Sequence, residues 1–414
     1  MNRVFGTRIE HADYYHRPGA YVIPYKDGRI AVAKMPKGYF LLGGGKEKAA
    51  AGSSGLEDDL TCIRRECLEE IGMTVRVGSR ICSAETFCEI PECGYFHPIQ
   101  VYYEGELLEK IQEPEEPDHQ LVWLAPEEAE RRLFVEQQRW AVRMYTERLR
   151  REQVPMPDCT ELVTPGSAAH LFKDWPETII WSCLQGVMGR VYGDRQESPA
   201  SAAAVLGDFC FLAGRPSSVF LLALSKSVRR DFLIMVPQDD FWGDLIEISF
   251  NESSKKVTRY AMKKDTRFDR TRLQAVAEAI PRGMELKKLD REVFDLAMER
   301  PWCRDWVSQY ESYEVYREKG MGVVLMRDGE PVSGASAYSS YEGGIEIEID
   351  TREDCRRQGL ARICGAALIL QCLDRGLYPS WDAQNKGSLA LAGQLGYVFD
   401  REYSAYEVDL TGCR

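Results

Sequence analysis

Histidine is scarce in this sequence and unevenly placed, with five in 414 residues and all of them before residue 171. Acid–base chemistry in the rest of the chain therefore falls to Glu, Asp, Tyr or Cys. No apolar run reaches the ~18 residues of a membrane span. The first residues, MNRVFGTRIEHADYY, lack the apolar stretch of a secretory leader. The 13 cysteines never form a CxxC pair. Scattered through apolar patterns (Cys62, Cys67, Cys183, Cys210, Cys364, Cys372), they read as buried thiols in a reducing cytosol, not as disulfides or a zinc site. Basic residues are in deficit, and the net charge of −12 argues against binding a nucleic acid duplex through its phosphates. The oligomeric state is left open.

The length is too great for one ordinary core and predicts two or three domains. Residues 151–166, REQVPMPDCTELVTPG, carry three prolines and no periodicity, and read as a linker. They divide a first domain, 1–150, from a second region that itself divides into 167–285 and 286–414. The α/β alternation of 167–285 predicts a mixed sheet with helices packed on it. No catalytic constellation stands out in that segment.

The first domain is organised around Gly43–Met73, GGGKEKAAAGSSGLEDDLTCIRRECLEEIGM. A β-meander over 18–45 delivers the chain to a glycine turn. A small-residue loop follows, and then an amphipathic helix over Glu57–Ile71. Leu60, Ile63, Cys67 and Ile71 recur at helical spacing and are expected to face a core. Glu66, Glu69 and Glu70 lie a turn apart on another face. Like charges so placed repel. A hard divalent cation reverses the sign, because Mg²⁺ binds carboxylate oxygens and substrate phosphates together. Gly72 is a helix stop, and Arg65 stands at i−4 from Glu69, where it can pin that carboxylate. Further strands are expected at Thr74–Val77, Ser83–Cys88, Pro98–Leu107 and Asp118–Trp123, and a closing helix at Glu136–Arg148.

Glu57, Arg65, Glu66, Glu69, Glu70 and Gly72 resemble the Nudix hydrolase signature, G-x5-E-x7-R-E-U-x-E-E-x-G-U, with Cys67 and Met73 at aliphatic positions. One departure is that the signature's first glycine falls on Ala51, so the loop after Gly45 is longer than usual. The resemblance implies hydrolysis of a nucleoside diphosphate linked to another group. Glu66, Glu69 and Glu70 would hold Mg²⁺ or Mn²⁺ with the carbonyl of Gly44 or Gly45, and Glu69 would also serve catalysis. A further acid outside the signature is expected among Glu104, Glu106, Glu116 and Asp118.

The last segment carries a second signal. A hairpin around Asp328-Gly329 leads to GGIEIEIDT, in which Ile345, Ile347 and Ile349 alternate with Glu346, Glu348 and Asp350. Arg356, Arg357, Gln358, Gly359, Leu360 and Ala361 follow at the start of an apolar helix. A strand ending in a glycine turn at a helix N-terminus presents unpaired N–H groups suited to a pyrophosphate. Asn385 comes after the next strand. This pattern resembles the GNAT acyltransferases, and the likeness extends upstream to a degenerate GNAT-like half over 167–285.

The GNAT resemblance implies acetyl-CoA as co-substrate and a small amine as acceptor. Ile347 and Ile349 lie on the strand that would pair with the pantetheine arm, residues 356–361 hold the pyrophosphate, and Asn385 contacts coenzyme A. Glu346 or Glu348 would deprotonate the acceptor ammonium, directly or through water. The tyrosine that many members carry seven residues after the asparagine is Ala392 here, so protonation of the thiolate falls to water, Tyr397, Tyr403 or Cys372. The fold expected is α+β and multidomain, a Nudix α/β/α sandwich followed by tandem GNAT-like mixed-sheet domains. The alternative is that one half has lost turnover and acts as a ligand sensor for the other.

Overall fold

The computed structural model describes residues 2–49, 55–91, 94–115, 118–153 and 159–411. The chain is a mixed α/β multidomain protein that divides into two compact units, Met1–Pro155 and Met156–Arg414. Among the described residues no helix is long and apolar enough to cross a membrane.

The first unit runs β1 (Asn2–Gly6), β2 (Tyr15–Lys26), β3 (Arg29–Met35), β4 (Gly38–Phe40), β5 (Leu42–Gly45), α1 (Asp59–Ile71), β6 (Met73–Ile90), β7 (Gly94–Lys110), β8 (Gln120–Leu124), α2 (Pro126–Arg132) and α3 (Glu136–Gln153). Its sheet has the order β1-β6-β7-β2-β3-β4, with β5 also on β2 and β8 also on β3. Helix α1 packs Cys62, Ile63, Cys67 and Ile71 against Ala20, Val22, Ala31, Ala33, Leu42 and Val75. Leu60 departs from expectation. It shares that face but sits in the first turn, at the helix end, and is 38% exposed.

The helix begins later than predicted because Asp58 caps it, accepting from the N–H groups of Leu60 and Thr61. It ends at Gly72, whose φ of 70° and bonds to the carbonyls of Cys67 and Leu68 form a left-handed cap. A Cβ at Gly72 would stand 2.0 Å from the Gln112 carbonyl oxygen. The two strands expected over 74–77 and 83–88 are one, β6, whose register against β7 shifts between Val77 and Cys82. Helix α3 continues to Gln153, three residues into the stretch read as linker.

The second unit runs β9 (Thr160–Glu161), α4 (Thr178–Leu184), β10 (Arg190–Gly193), β11 (Ser201–Leu206), β12 (Phe209–Gly214), α5 (Ser218–Ser227), β13 (Phe232–Pro237), α6 (Asp240–Phe250), β14 (Ser254–Met262) and α7 (Arg270–Ala277). It continues with β15 (Met284–Lys288), α8 (Arg291–Glu299), α9 (Tyr313–Lys319), β16 (Gly322–Arg327), β17 (Glu330–Tyr341), β18 (Gly344–Thr351), α10 (Leu360–Asp374), β19 (Tyr378–Ser380), β20 (Asp382–Ala383), α11 (Lys386–Leu395) and β21 (Phe399–Asp409).

Two sheets result. One has the order β15-β16-β17-β18-β19, and the other β20-β14-β21-β13-β12-β11-β10-β9. The last strand, β21, lies between β13 and β14, antiparallel to both. The sheet of the earlier lobe is thus completed by residues from the end of the chain. Strands β18 and β19 pair in parallel only from Gly344 to Glu346 against Tyr378 to Ser380. Beyond that point the chain leaves β18, and β20 pairs with β14 through Ala383 and Tyr260. The two strands therefore part in a V, and Glu346 and Ser380 stand at its root. Helix α10 is buried on nearly every side, which fixes its start beside the V.

Candidate active sites

In the first unit the signature residues converge on Arg65. Its Nη2 lies 2.7 Å from Glu57 Oε1 and 3.0 Å from Glu66 Oε1, and its Nη1 lies 2.8 Å from Glu69 Oε2. Nη2 also donates to the Gly45 carbonyl at 3.1 Å. Glu70 is 6% exposed, and its Oε2 accepts from the Gly43 N–H at 3.2 Å. Burial holds the Glu66 carboxyl above the usual range, with Arg65 pulling the other way. Glu57 is lowered, because bonds from Arg65 and the Glu47 amide outweigh its burial.

The donor set suits Mg²⁺ or Mn²⁺, since three carboxylates and a carbonyl are all hard oxygen ligands. Gly44 lies close beside them, and a Cβ there would come 2.3 Å from Glu66 Oε1 and displace that carboxylate. Among the described residues no three acidic, histidine or cysteine groups stand at metal-binding spacing. The carboxylates turn to Arg65 and to the glycine strand instead.

The long loop is closed at its base. Glu57 N–H donates to the Glu47 carbonyl at 2.9 Å and Ala49 N–H to the Gly55 carbonyl at 3.0 Å. Ala51 lies outside the described residues, as does Glu116. Of the other acids expected to assist, Glu104 pairs with Arg148 at 2.8 Å and Glu106 with Arg76 at 2.5 Å. Asp118 is exposed. Arg17 escapes sequence reading. A Cβ at Gly45 would meet its Nε at 2.7 Å, so a second cation lies beside the oxygen cluster.

The second site is a cleft of 810 Å³ along the open side of the V, lined by Ile347, Ile349, Arg356, Arg357, Gly359, Leu360, Ala361 and Asn385. Gln358 is in the same turn but is not among the residues lining the cleft. The turn before α10 places Arg357 at φ 63° and Gly359 at φ 80°, a left-handed pair that leaves backbone N–H groups at the helix start without intrahelical partners. Asn385 caps α11, its Oδ1 accepting from Ser388 N–H at 3.0 Å.

At the root of the V is a small cavity of 30 Å³ whose lining includes Glu177, Thr178, Arg259, Glu346, Glu348 and Asp382. Three of these six come from the segment in which the sequence suggests no constellation, and Lys264 stands behind them, 3.8 Å from Glu177. They escape sequence reading because their partners are distant. Thr178 donates to Glu346, Arg259 pairs with Asp382 at 2.6 Å, and Arg401 with Glu177 at 2.7 Å.

Burial pushes Glu177 up to about 7, against the pull of Lys264 and Arg401. Burial, with Asp350 and Asp305 adding repulsion, raises Glu348 well above the carboxylate range. Ala392 is buried. Of the proposed thiolate acids, Cys372 lies in the core against Met321, and Tyr397 donates to the Pro379 carbonyl at 2.6 Å. Tyr403 alone of the three lines the cavity, where it donates to Asp382 at 2.8 Å.

Comparison with known proteins matches residues 169–406 to the GNAT acetyltransferase family model. A GCN5-related N-acetyltransferase-like protein from Streptococcus suis 89/1591 is 47% identical, over 59% of this chain and 98% of its own, with a TM-score of 0.57. An uncharacterized N-acetyltransferase of Bacillus subtilis (strain 168) is 24% identical over 250 residues, 55% of this chain and 89% of its own. A MutT Nudix hydrolase from Burkholderia pseudomallei is 22% identical, over 31% of this chain and 98% of its own, with a TM-score of 0.25. The reading of the first unit rests on its own residues.

Proposed function

The chain belongs to the GNAT acetyltransferase family, and from that membership we propose that its second unit transfers an acetyl group from acetyl-CoA to a small amine. The observation that carries this reading is the parting of β18 from β19 beside the left-handed turn at Arg357–Gly359. The backbone N–H groups from Arg357 to Ala361 hold the pyrophosphate, and the arm runs along Ile347 and Ile349 toward the root. Burial and its acidic neighbours raise the Glu348 carboxyl well above the carboxylate range, and Glu346, which lines the cavity at the root of the V with one oxygen unpartnered, is assigned as the base. Asn385 orients coenzyme A from the opposite wall. Calorimetry of the full chain with acetyl-CoA tests this, and the absence of heat at high concentration would overturn it.

We infer further that the first unit is a Nudix-type hydrolase of a nucleoside diphosphate linked to another group. The observation behind this is the gathering of Glu57, Glu66, Glu69 and the Gly45 carbonyl on one guanidinium, with Glu70 alongside. Glu66, Glu69, Glu70 and Gly45 would hold Mg²⁺ or Mn²⁺, which when bound polarises the phosphoryl oxygen and activates water. Arg65 holds Glu57, Glu66 and Glu69 in orientation. A panel of nucleotide substrates with Mg²⁺, read by release of phosphate or monophosphate from the full chain, tests the assignment. In this reading 1–150 is the hydrolase, 151–166 the linker, 167–285 a degenerate GNAT-like half and 286–414 the half that binds acetyl-CoA.

A further inference from the structure

Two histidines of the first unit face each other across neighbouring strands. His16 on β2 and His97 on β7 are register partners in a parallel pair, and their Nδ1 atoms converge to 2.7 Å. His97 is 5% exposed. Phe87 stacks on its ring with centroids 4.2 Å apart, and Tyr14 meets it edge-on. Its far nitrogen, Nε2, lies 2.9 Å from Glu85 Oε2. Asn2 of β1 donates to the other oxygen of that carboxylate at 3.4 Å. On the Glu85 contact we assign the proton of His97 to Nε2, which turns the Nδ1 lone pair toward His16. His16 is exposed, so solvent reaches the pair.

We propose that His16 and His97 form a binding site for a divalent transition-metal ion, Cu²⁺ or Ni²⁺, held by the two Nδ1 atoms and completed by water, with Glu85 as the outer partner of His97. A ligating imidazole usually gives its second N–H to a carboxylate or carbonyl, which sets the ring and raises its basicity. Nitrogen donors suit these ions, whereas Mg²⁺ takes oxygen. Spacing narrows the geometry. With metal–nitrogen bonds of about 2.0–2.1 Å, nitrogens at adjacent corners of a square or octahedron stand about 2.9 Å apart, and at tetrahedral corners about 3.3 Å. The observed 2.7 Å is nearer the first, and the exposed His16 has only a few tenths of an ångström to yield. Without metal, one proton lies between the two nitrogens. Binding sends that proton to solvent as two nitrogen–metal bonds form, and the oxidation state of the ion does not change.

The site is distinct in donor type from the carboxylate cluster on Arg65, and it depends on neither activity proposed above. It lies on the same strand that supports that cluster, since Gly19 of β2 pairs with Gly45. The ion therefore ties β2 to β7 just before β2 reaches the glycine strand.

The test uses the full chain without an affinity tag, in excess MgCl₂ so that the carboxylate cluster is occupied. Calorimetric titration with NiCl₂ is expected to show a single class of site. His16→Gln is expected to abolish that isotherm and to melt as the wild type does, because the side chain it replaces is exposed. Glu85→Gln, which leaves both imidazoles in place, is expected to weaken binding by about 10–100-fold. Electron paramagnetic resonance of the wild type with one equivalent of CuCl₂ should show coupling to two imidazole nitrogens, and to fewer in His16→Gln.

No heat with NiCl₂ at millimolar concentration would overturn the site. An isotherm unchanged in His16→Gln would place the metal elsewhere on the chain and overturn it equally. So would a wild-type copper spectrum with fewer than two coupled nitrogens, a result that does not require any variant to fold. Unchanged nickel affinity in Glu85→Gln would overturn the part given to the carboxylate.

Discussion

Arg65 and Glu69, one helical turn apart, form an ion pair at 2.8 Å, and the same guanidinium reaches Glu57 and Glu66. A cation at the centre of three carboxylates offsets their mutual repulsion and sets where each one points. Replacing Arg65 by Ala should lower nucleotide hydrolysis or the apparent Mg²⁺ affinity by about 10–100-fold, the usual loss when a partner of a metal ligand is removed. Lys should not restore it, because a point charge cannot bridge several carboxylates as a planar fork does. Initial rates against Mg²⁺ concentration check this, and unchanged curves would show that Arg65 orients nothing.

The glutamates call for different substitutions. The Glu69 side chain is 35% exposed, so Glu69→Lys should abolish hydrolysis while leaving the melting curve of the protein close to wild type. Glu70 is 6% exposed and bonded to the Gly43 amide. Charge reversal there would bury an ammonium beside a backbone donor, with a cost to folding. Glu70→Gln removes the ligand charge and keeps the acceptor. A Glu69→Lys variant with full activity would remove this residue from the chemistry.

Asn385 has two roles to separate. Its side chain caps α11 through Ser388 and also lines the cleft. Loss of an N-cap costs about 1 kcal/mol, so Asn385→Ala should lower stability by that order, whereas Asn385→Ser should keep the cap. Acetyl-CoA affinity measured by calorimetry should fall in both. Retained affinity in the Ser variant would confine Asn385 to capping.

Glu177 should leave a mark on the pH dependence of stability. Burial raises it from an ordinary 4.5 to about 7 in the folded chain. Between those values the folded state keeps a proton that the unfolded state has lost, so stability falls as pH rises through the interval. The contribution is complete below about 4.5 and spent above about 7. In Glu177→Gln the decline in Tm over this window should be shallower, as seen in thermal melts at several pH values. An identical slope would mean that Glu177 ionises like a surface carboxylate.

Sequence pattern reveals what is local. The periodicity of Ile63, Cys67 and Ile71, the spacing of Glu66, Glu69 and Glu70, and the strand–turn–helix at 344–361 all lie within a few turns of chain, and the structure forms them. What escapes is set by distant pairing. Leu60 obeys the helical period, but how far a core extends along a helix depends on strands elsewhere. Thr178 and Arg259 look like ordinary polar residues until β18 and β20 bring Glu346 and Asp382 to them. Register across a sheet follows from side chains that face one another, and no window of neighbouring residues contains that information for strands so far apart.

The position of β21 between β13 and β14 has a consequence for biosynthesis. At 5–20 residues per second, the ribosome needs on the order of ten seconds or more after finishing β14 to deliver the strand that fills the gap. Throughout that interval the nascent lobe has an open seam, with two strand edges unpaired and ready to stick to other chains. The lobe stays open until β21, made long after β13 and β14, arrives to act as its zipper.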